Sequence, residues 1–175
     1  MKLKIKVKVL SEGCMPEITE KGDWIDLKSA TDISLNAPQV STQYTTSIGE
    51  KHRDAQISTV KIPLGIAIEL PKGFEAIVAS RSSNPSKLRV FIPNGIGVID
   101  NCYNGNEDQW YYILSPMTNT LISKGMRICQ FRIQLSQKAT LWQKLKWLFS
   151  SGIELIQVDS LNEINRGGIG STGSK

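Results

Sequence analysis

At 175 residues, with 40% hydrophobic and 21% charged side chains, the chain is long enough to bury one core without disulfide or metal staples and too short for a second catalytic domain. Its apolar runs are too short to cross a bilayer, and its N-terminus lacks the continuous apolar block of a secretory signal, so no membrane span, no membrane partner and a cytoplasmic location are expected. The formal charge of +5 is spread along the chain rather than gathered into a basic strip, which disfavours a nucleic-acid surface and suits a small polyanionic substrate.

Residues 1–9 alternate Lys2, Lys4, Lys6 and Lys8 with Leu3, Ile5, Val7 and Val9, the period of a half-buried strand whose lysines face water. The segment 39–58 is polar and rich in Ser and Thr, and reads as an extended surface loop or hairpin; His52, the one histidine, has no nucleophile beside it and is given no role. Short apolar runs follow at 60–62, 65–70, 74–79, 88–92, 110–114, 127–135 and 153–158. They are separated by turn signals such as Pro71-Lys72-Gly73 and Pro93-Asn94-Gly95. Many short strands with frequent turns predict an all-β domain over 1–165, a sandwich, barrel or jelly roll. Cys14, Cys102 and Cys129 are odd in number and scattered, as free thiols rather than a disulfide framework or metal site.

One helix interrupts the strands at about 140–150. Leu141, Trp142, Leu145, Leu148 and Phe149 fall on one stripe, and Gly152 supplies a stop. The stripe is expected to pack against the sheet or a neighbouring subunit, in preference to docking on a partner or a membrane surface, and Trp147 lies off it.

Three segments carry chemistry that a β fold does not need. Ser80-Arg81-Ser82-Ser83 offers a guanidinium fork and hydroxyls suited to phosphate oxygens. The stretch 94–105 leads apolar Val98 and Ile99 into Asp100 between glycines that let backbone approach a ligand. An acid held there polarises a water, or is an ordinary turn aspartate beside a core tyrosine, Tyr103. The tail, 166–173, presents Arg166 and a Gly-rich run with Ser171 and Thr172, fit either for a flap that orders on phosphates or for a flexible end over 166–175.

These segments resemble the five ordered motifs of the trimeric dUTPase family: Gly22-Asp23-Trp24-Ile25-Asp26-Leu27-Lys28-Ser29-Ala30, Arg81-Ser82-Ser83, 94–105, Lys124-Gly125-Met126-Arg127-Ile128-Cys129-Gln130, and 166–173. The resemblance runs across nearly the whole chain. It implies a jelly-roll-like homotrimer with shared active sites that hydrolyses dUTP to dUMP and pyrophosphate, with Mg²⁺ as cofactor bound through the substrate phosphates and not by a protein cluster. By the same likeness, Asp100 activates the attacking water. Asn94, the backbone of Val98 and Ile99, and Asp108 hydrogen-bond uracil; Tyr103 lies against the deoxyribose and excludes a 2′-hydroxyl. Arg81, Ser82, Ser83, Gln130, Arg166, Ser171 and Thr172 take the phosphate chain, and Asp26 supports the site or is simply a buried carboxylate bonded to backbone or to Arg127.

Two positions depart from the family pattern. Arg-Ser-Ser stands for Arg-Ser-Gly, and Ile169 for the tail aromatic that covers uracil. An aromatic elsewhere is expected to replace it, Trp110 first because it follows the hairpin motif. A dCTP deaminase shares the Arg-Ser-Ser element, but where its catalytic glutamate is expected this chain has Trp110, with Glu107 out of register. A nucleotide-gated regulatory trimer that binds a protein partner through 39–58 or the helix is the remaining alternative.

Overall fold

The computed structural model describes residues 2–20, 22–162 and 164–166. Its strands in chain order are β1 Leu3–Val9, β2 Glu17–Ile18, β3 Ile25–Lys28, β4 Ile33–Leu35, β5 Gln39–Val40, β6 Tyr44–Thr45, β7 Lys51–His52, β8 Ala55–Gln56 and β9 Val60–Pro63. They continue with β10 Ile66–Glu69, β11 Phe74–Ser80, β12 Val90–Phe91, β13 Gly97–Asp100, β14 Tyr111–Pro116, β15 Thr120–Ile122, β16 Arg127–Leu135 and β17 Ile153–Gln157. A π-helical turn, Asn84–Leu88, and one α-helix, α1 Leu141–Leu148, complete the described elements. The all-β expectation holds.

Alternation explains the first strand: Leu3, Ile5 and Val7 are buried while Lys4 is exposed and Lys6 pairs with Glu69 at 2.9 Å. β1 lies between β10, antiparallel, and β17, parallel. The sheet that positions the chemistry has the order β13-β11-β16-β3-β2. One face of β11 and of β16 contributes to a core that joins Phe74, Val78, Phe131 and Ile133 to Ile5, Ile68 and Trp110. Burying each such aliphatic or aromatic side chain contributes about 1.5–3 kcal/mol.

The segment 39–58 is a projecting hairpin arm, β5 pairing with β8 and β6 with β7, every residue of those strands exposed. Tyr44 stacks at 6.1 Å on His52, which in turn faces Glu50, so the histidine serves the arm itself.

The helix forms where expected, its start fixed by a reciprocal cap between Thr140 and Gln143, but it is turned the other way. Leu141, Trp142, Leu148 and Phe149 are 70–80% exposed, and Trp147, off the stripe, is the residue that packs, 5.5 Å from the Phe74 ring. The cause lies in the β10–β11 turn. Gly73 turns the chain at a φ of +84°, which favours glycine, and its missing Cβ leaves the space that the Gln143 amide fills as the Gln143/Trp147 side of the helix settles against the sheet. Packing of the stripe against this chain's own sheet is therefore corrected.

Candidate active site

Two groups of the expected residues assemble, at opposite ends of one strand. The first gathers where β11, β16 and β3 run side by side. Register places Gln130 opposite Asp26 and Ser80 opposite Cys129, so Arg81, leaving β11, meets the aspartate of β3. Asp26 is nearly buried and shared by two guanidiniums, Arg81 Nε at 3.0 Å and Arg127 Nη1 at 3.1 Å. Arg81 also donates to the Arg127 carbonyl, and the Gln130 amide to the Ser80 carbonyl, both at 3.3 Å. Glu17 adds a second acid against Lys28 and Arg127; the hydrogen bond from Lys28 lowers its carboxyl below the ordinary value. Two arginines on one buried carboxylate leave donors directed outward, the arrangement that suits a phosphate chain. Ser82 is exposed beside them, and Ser83 opens the π turn, whose Asn84 is buried and donates to the Ile128 carbonyl at 2.6 Å.

The second group is the hairpin. Asp100 closes β13, paired with Glu75 of β11, and its side chain is 56% exposed. Asp100, Val98, Ile96, Cys102, Glu75 and Arg166 line an open cavity of about 1120 Å³. Asn94 is exposed at the turn before the strand, its amide donating to the Ile96 carbonyl, while Ile99 faces the core. Tyr103 is half-buried, its hydroxyl donating to the Gln109 carbonyl at 2.8 Å; burial first, then the charge of Asp108, raises its phenol above the usual value and keeps it neutral.

The C-terminal segment is fastened to this hairpin. Asp108, buried, accepts from the backbone N–H of Gly105 at 2.9 Å and of Arg166 at 3.0 Å. Asn106 bonds the backbone of Leu161, and Asn165 accepts from the Glu107 N–H. Arg166 Nη1 then reaches the Asp100 carboxylate at 3.3 Å. Asn106 and Asn165 escaped sequence reasoning because such a link spans more than 50 residues and has no local signal. Asp108 is expected to take part in hydrogen-bonding uracil from the hairpin; its carboxyl receives the backbone donors of Gly105 and Arg166 and so shapes that hairpin. The tail positions Ile169, Ser171 and Thr172 lie outside the described residues.

Trp110 is corrected outright. It is fully buried, edge-on to Phe131 at 5.2 Å, so neither face of its indole is available to cover a ligand.

A Cβ on Gly105 would strike the backbone and side chain of Asn165. The Gly105→Ala chain is expected to exchange the Glu107 and Arg166 amide hydrogens about tenfold faster, through local opening of the fastened segment. Native-state hydrogen exchange measures this, and unchanged protection of both amides would count against the fastening.

The two groups do not meet within one chain. From Glu75, opposite Asp100, β11 runs to Ser80 and Arg81, which at strand rise is a separation of roughly 20 Å. Among the described residues no group of three or more His, Cys, Asp or Glu is placed to hold a metal, and no helix is long and apolar enough to cross a membrane.

No protein-family model matches the chain. It is 37% identical over 174 residues to the SPbeta prophage-derived deoxyuridine 5'-triphosphate nucleotidohydrolase of Bacillus subtilis, covering 99% of this chain and all of that protein. The deoxyuridine 5'-triphosphate nucleotidohydrolase of Rickettsia prowazekii is 30% identical over 155 residues, 85% of this chain and 96% of its own length. Among solved structures, the dUTPase of Streptococcus mutans has the same fold at a TM-score of 0.60 and 22% identity, over 77% of this chain and 98% of that one. A mutant dUTPase from phage phi11 of S. aureus, described with a structural Mg(II) ion, follows at 0.59 and 19%, over 78% and 94%. With a relative above 30% identity matched from end to end, and a β architecture that these structures share, the chain belongs to the dUTPase family.

Proposed function

We propose that the protein is a dUTP diphosphatase whose active sites are each completed by more than one subunit. The observation that carries this reading is the division of labour along β11: an exposed carboxylate beside a cavity at one end, a double-arginine cluster at the other, too far apart to act on one nucleotide. A cyclic trimer that sets the hairpin of one chain against the arginines of the next reunites them, as closed rotational symmetry permits.

In that arrangement uracil sits against the hairpin, read by the backbone of Val98 and Ile99 and by Asn94. Cytosine is refused because it would leave those donors and acceptors unpaired. The Tyr103 ring packs on the deoxyribose where a 2′-hydroxyl would need to fit. Arg81, Ser82, Ser83 and Gln130 hold the phosphates, Asp26 fixes the Arg81 fork, and Arg166, Ser171 and Thr172 close over them. Asp100 accepts a proton from water as its oxygen bonds to the α-phosphorus. The bond from that phosphorus to the bridging oxygen breaks, and pyrophosphate leaves with the electron pair. Mg²⁺ fits this site through the nucleotide: it prefers oxygen ligands and keeps waters, while Asp26 is already neutralised by two guanidiniums and the triphosphate brings its own oxygens. Bound there it offsets phosphate charge. The product dUMP is a precursor for thymidylate, and removal of dUTP limits uracil in DNA.

Pyrophosphate release measured side by side on dUTP, UTP, dCTP and dTTP is expected for dUTP alone. Equal turnover of UTP would remove the role given to Tyr103. Asp100→Asn and Arg81→Ala chains, each inactive alone, are expected to recover activity when unfolded together and refolded as a mixture, in about one site in four, since only sites drawing the intact group from each partner are complete. A mixture no more active than either parent would overturn the shared site.

A further inference from the structure

We propose that α1 is a peripheral contact for an anionic lipid bilayer. Its outward face is formed by Leu141, Trp142, Leu148 and Phe149, all 70–80% exposed, while Gln143 and Trp147 hold the opposite face to the sheet. At 100° per residue the apolar arc spans about 120°, with Lys144 just beyond Leu148 on one side and Lys146 just beyond Trp142 on the other. Both lysines are exposed, and no acidic residue occurs between Leu135 and Ile153. The adjoining groove has one acid, Asp23, which shares it with Lys2.

An apolar arc carrying Trp and Phe, bordered on each edge by a long cationic side chain, matches the boundary of a lipid headgroup layer. The rings sit at the interface and the lysine stems lie along the acyl surface with their ammonium groups among phosphates. A second copy of the helix fits poorly, because face-to-face pairing would bring lysine edges together. The expectation of no membrane partner rests on the absence of a span, which contact in the plane of the interface does not require, and on packing of the stripe, whose Leu141, Trp142, Leu148 and Phe149 instead face outward. The rigid seat on Phe74 and the reciprocal Thr140–Gln143 cap hold the helix formed before it meets lipid, so little ordering cost remains.

Co-sedimentation of the full chain with phosphatidylcholine vesicles, with and without 30% phosphatidylglycerol, tests this. Binding is expected with phosphatidylglycerol, weakening as salt rises, and not with phosphatidylcholine alone. Each of Lys144→Gln and Lys146→Gln is expected to lower the partition coefficient about fivefold. Trp142→Ser/Phe149→Ser is expected to abolish binding while leaving dUTP hydrolysis unchanged, because none of these side chains belongs to the proposed site. Absence of binding to anionic vesicles, or equal binding by the double variant, would overturn the inference. So would a change in solution mass in the double variant without lipid, which would assign the face to another copy of this chain.

Discussion

Asp100→Asn is expected to lower the rate of dUTP hydrolysis by about 10²–10⁴-fold, the factor that a positioned general base contributes. Asparagine keeps the shape of the side chain and still accepts from Arg166 through its carbonyl oxygen, so the hairpin stays in place; what disappears is the ability to take the proton from water. The substitution costs the fold little because Asp100 is exposed and buries no unpaired group. Single-turnover pyrophosphate release, with dUTP binding measured in parallel, separates the two effects. The variant should bind substrate within a few-fold of the parent and fail to cleave it. Full activity in the asparagine variant would mean that the base is another residue.

Asp26→Ala should act on the other half of the site and by another route. Asp26 is the shared counter-ion of Arg81 and Arg127, and its removal leaves Arg81 without a carboxylate while Arg127 keeps Glu17 at 3.7 Å; breaking a buried ion pair in this way costs about 3–5 kcal/mol. Both arginines are partly solvated and will swing outward, which places the expected loss at the lower end of that range. Urea denaturation should move to a lower midpoint with its slope kept, and the Michaelis constant for dUTP should rise because the Arg81 fork is no longer aimed. Asp26→Asn, which keeps the shape but not the charge, is expected to fall between. A variant as stable as the parent would show that the arginines find equal partners without Asp26.

Much of this molecule is written locally. Lys and apolar residues alternating over β1, the run that becomes β16, and the polar stretch that becomes the arm are all legible because pleat and turn chemistry act over a few residues. The candidate site residues stand out only as a set, since none of Arg81, Asp100 or Gln130 is unusual alone. What the chain does not spell out is facing and register. Trp110 begins an apolar run and looks free to cover a ligand; contact with Phe131, 21 residues further along the chain, decides that it is core. The helix stripe was correct in membership and reversed in direction, because Gly73 and Phe74, on a turn and strand far back in the chain, choose which side is seated. Likewise the span between Asp100 and Arg81 follows from how β13 and β16 are offset against β11, and an antiparallel register has no signature in either strand read by itself.

The placement of Asp100 and of the Arg81–Asp26–Arg127 cluster at the two ends of β11 has a consequence for how the protein behaves when scarce. Under the proposed sharing of sites, a folded solitary chain would hold a complete core and an incomplete catalyst, so turnover per chain would become a function of how much protein is present. Dilution should silence it well before it unfolds, and a cell or virus that makes only a little of it would have almost none of its activity until synthesis crosses the threshold for association.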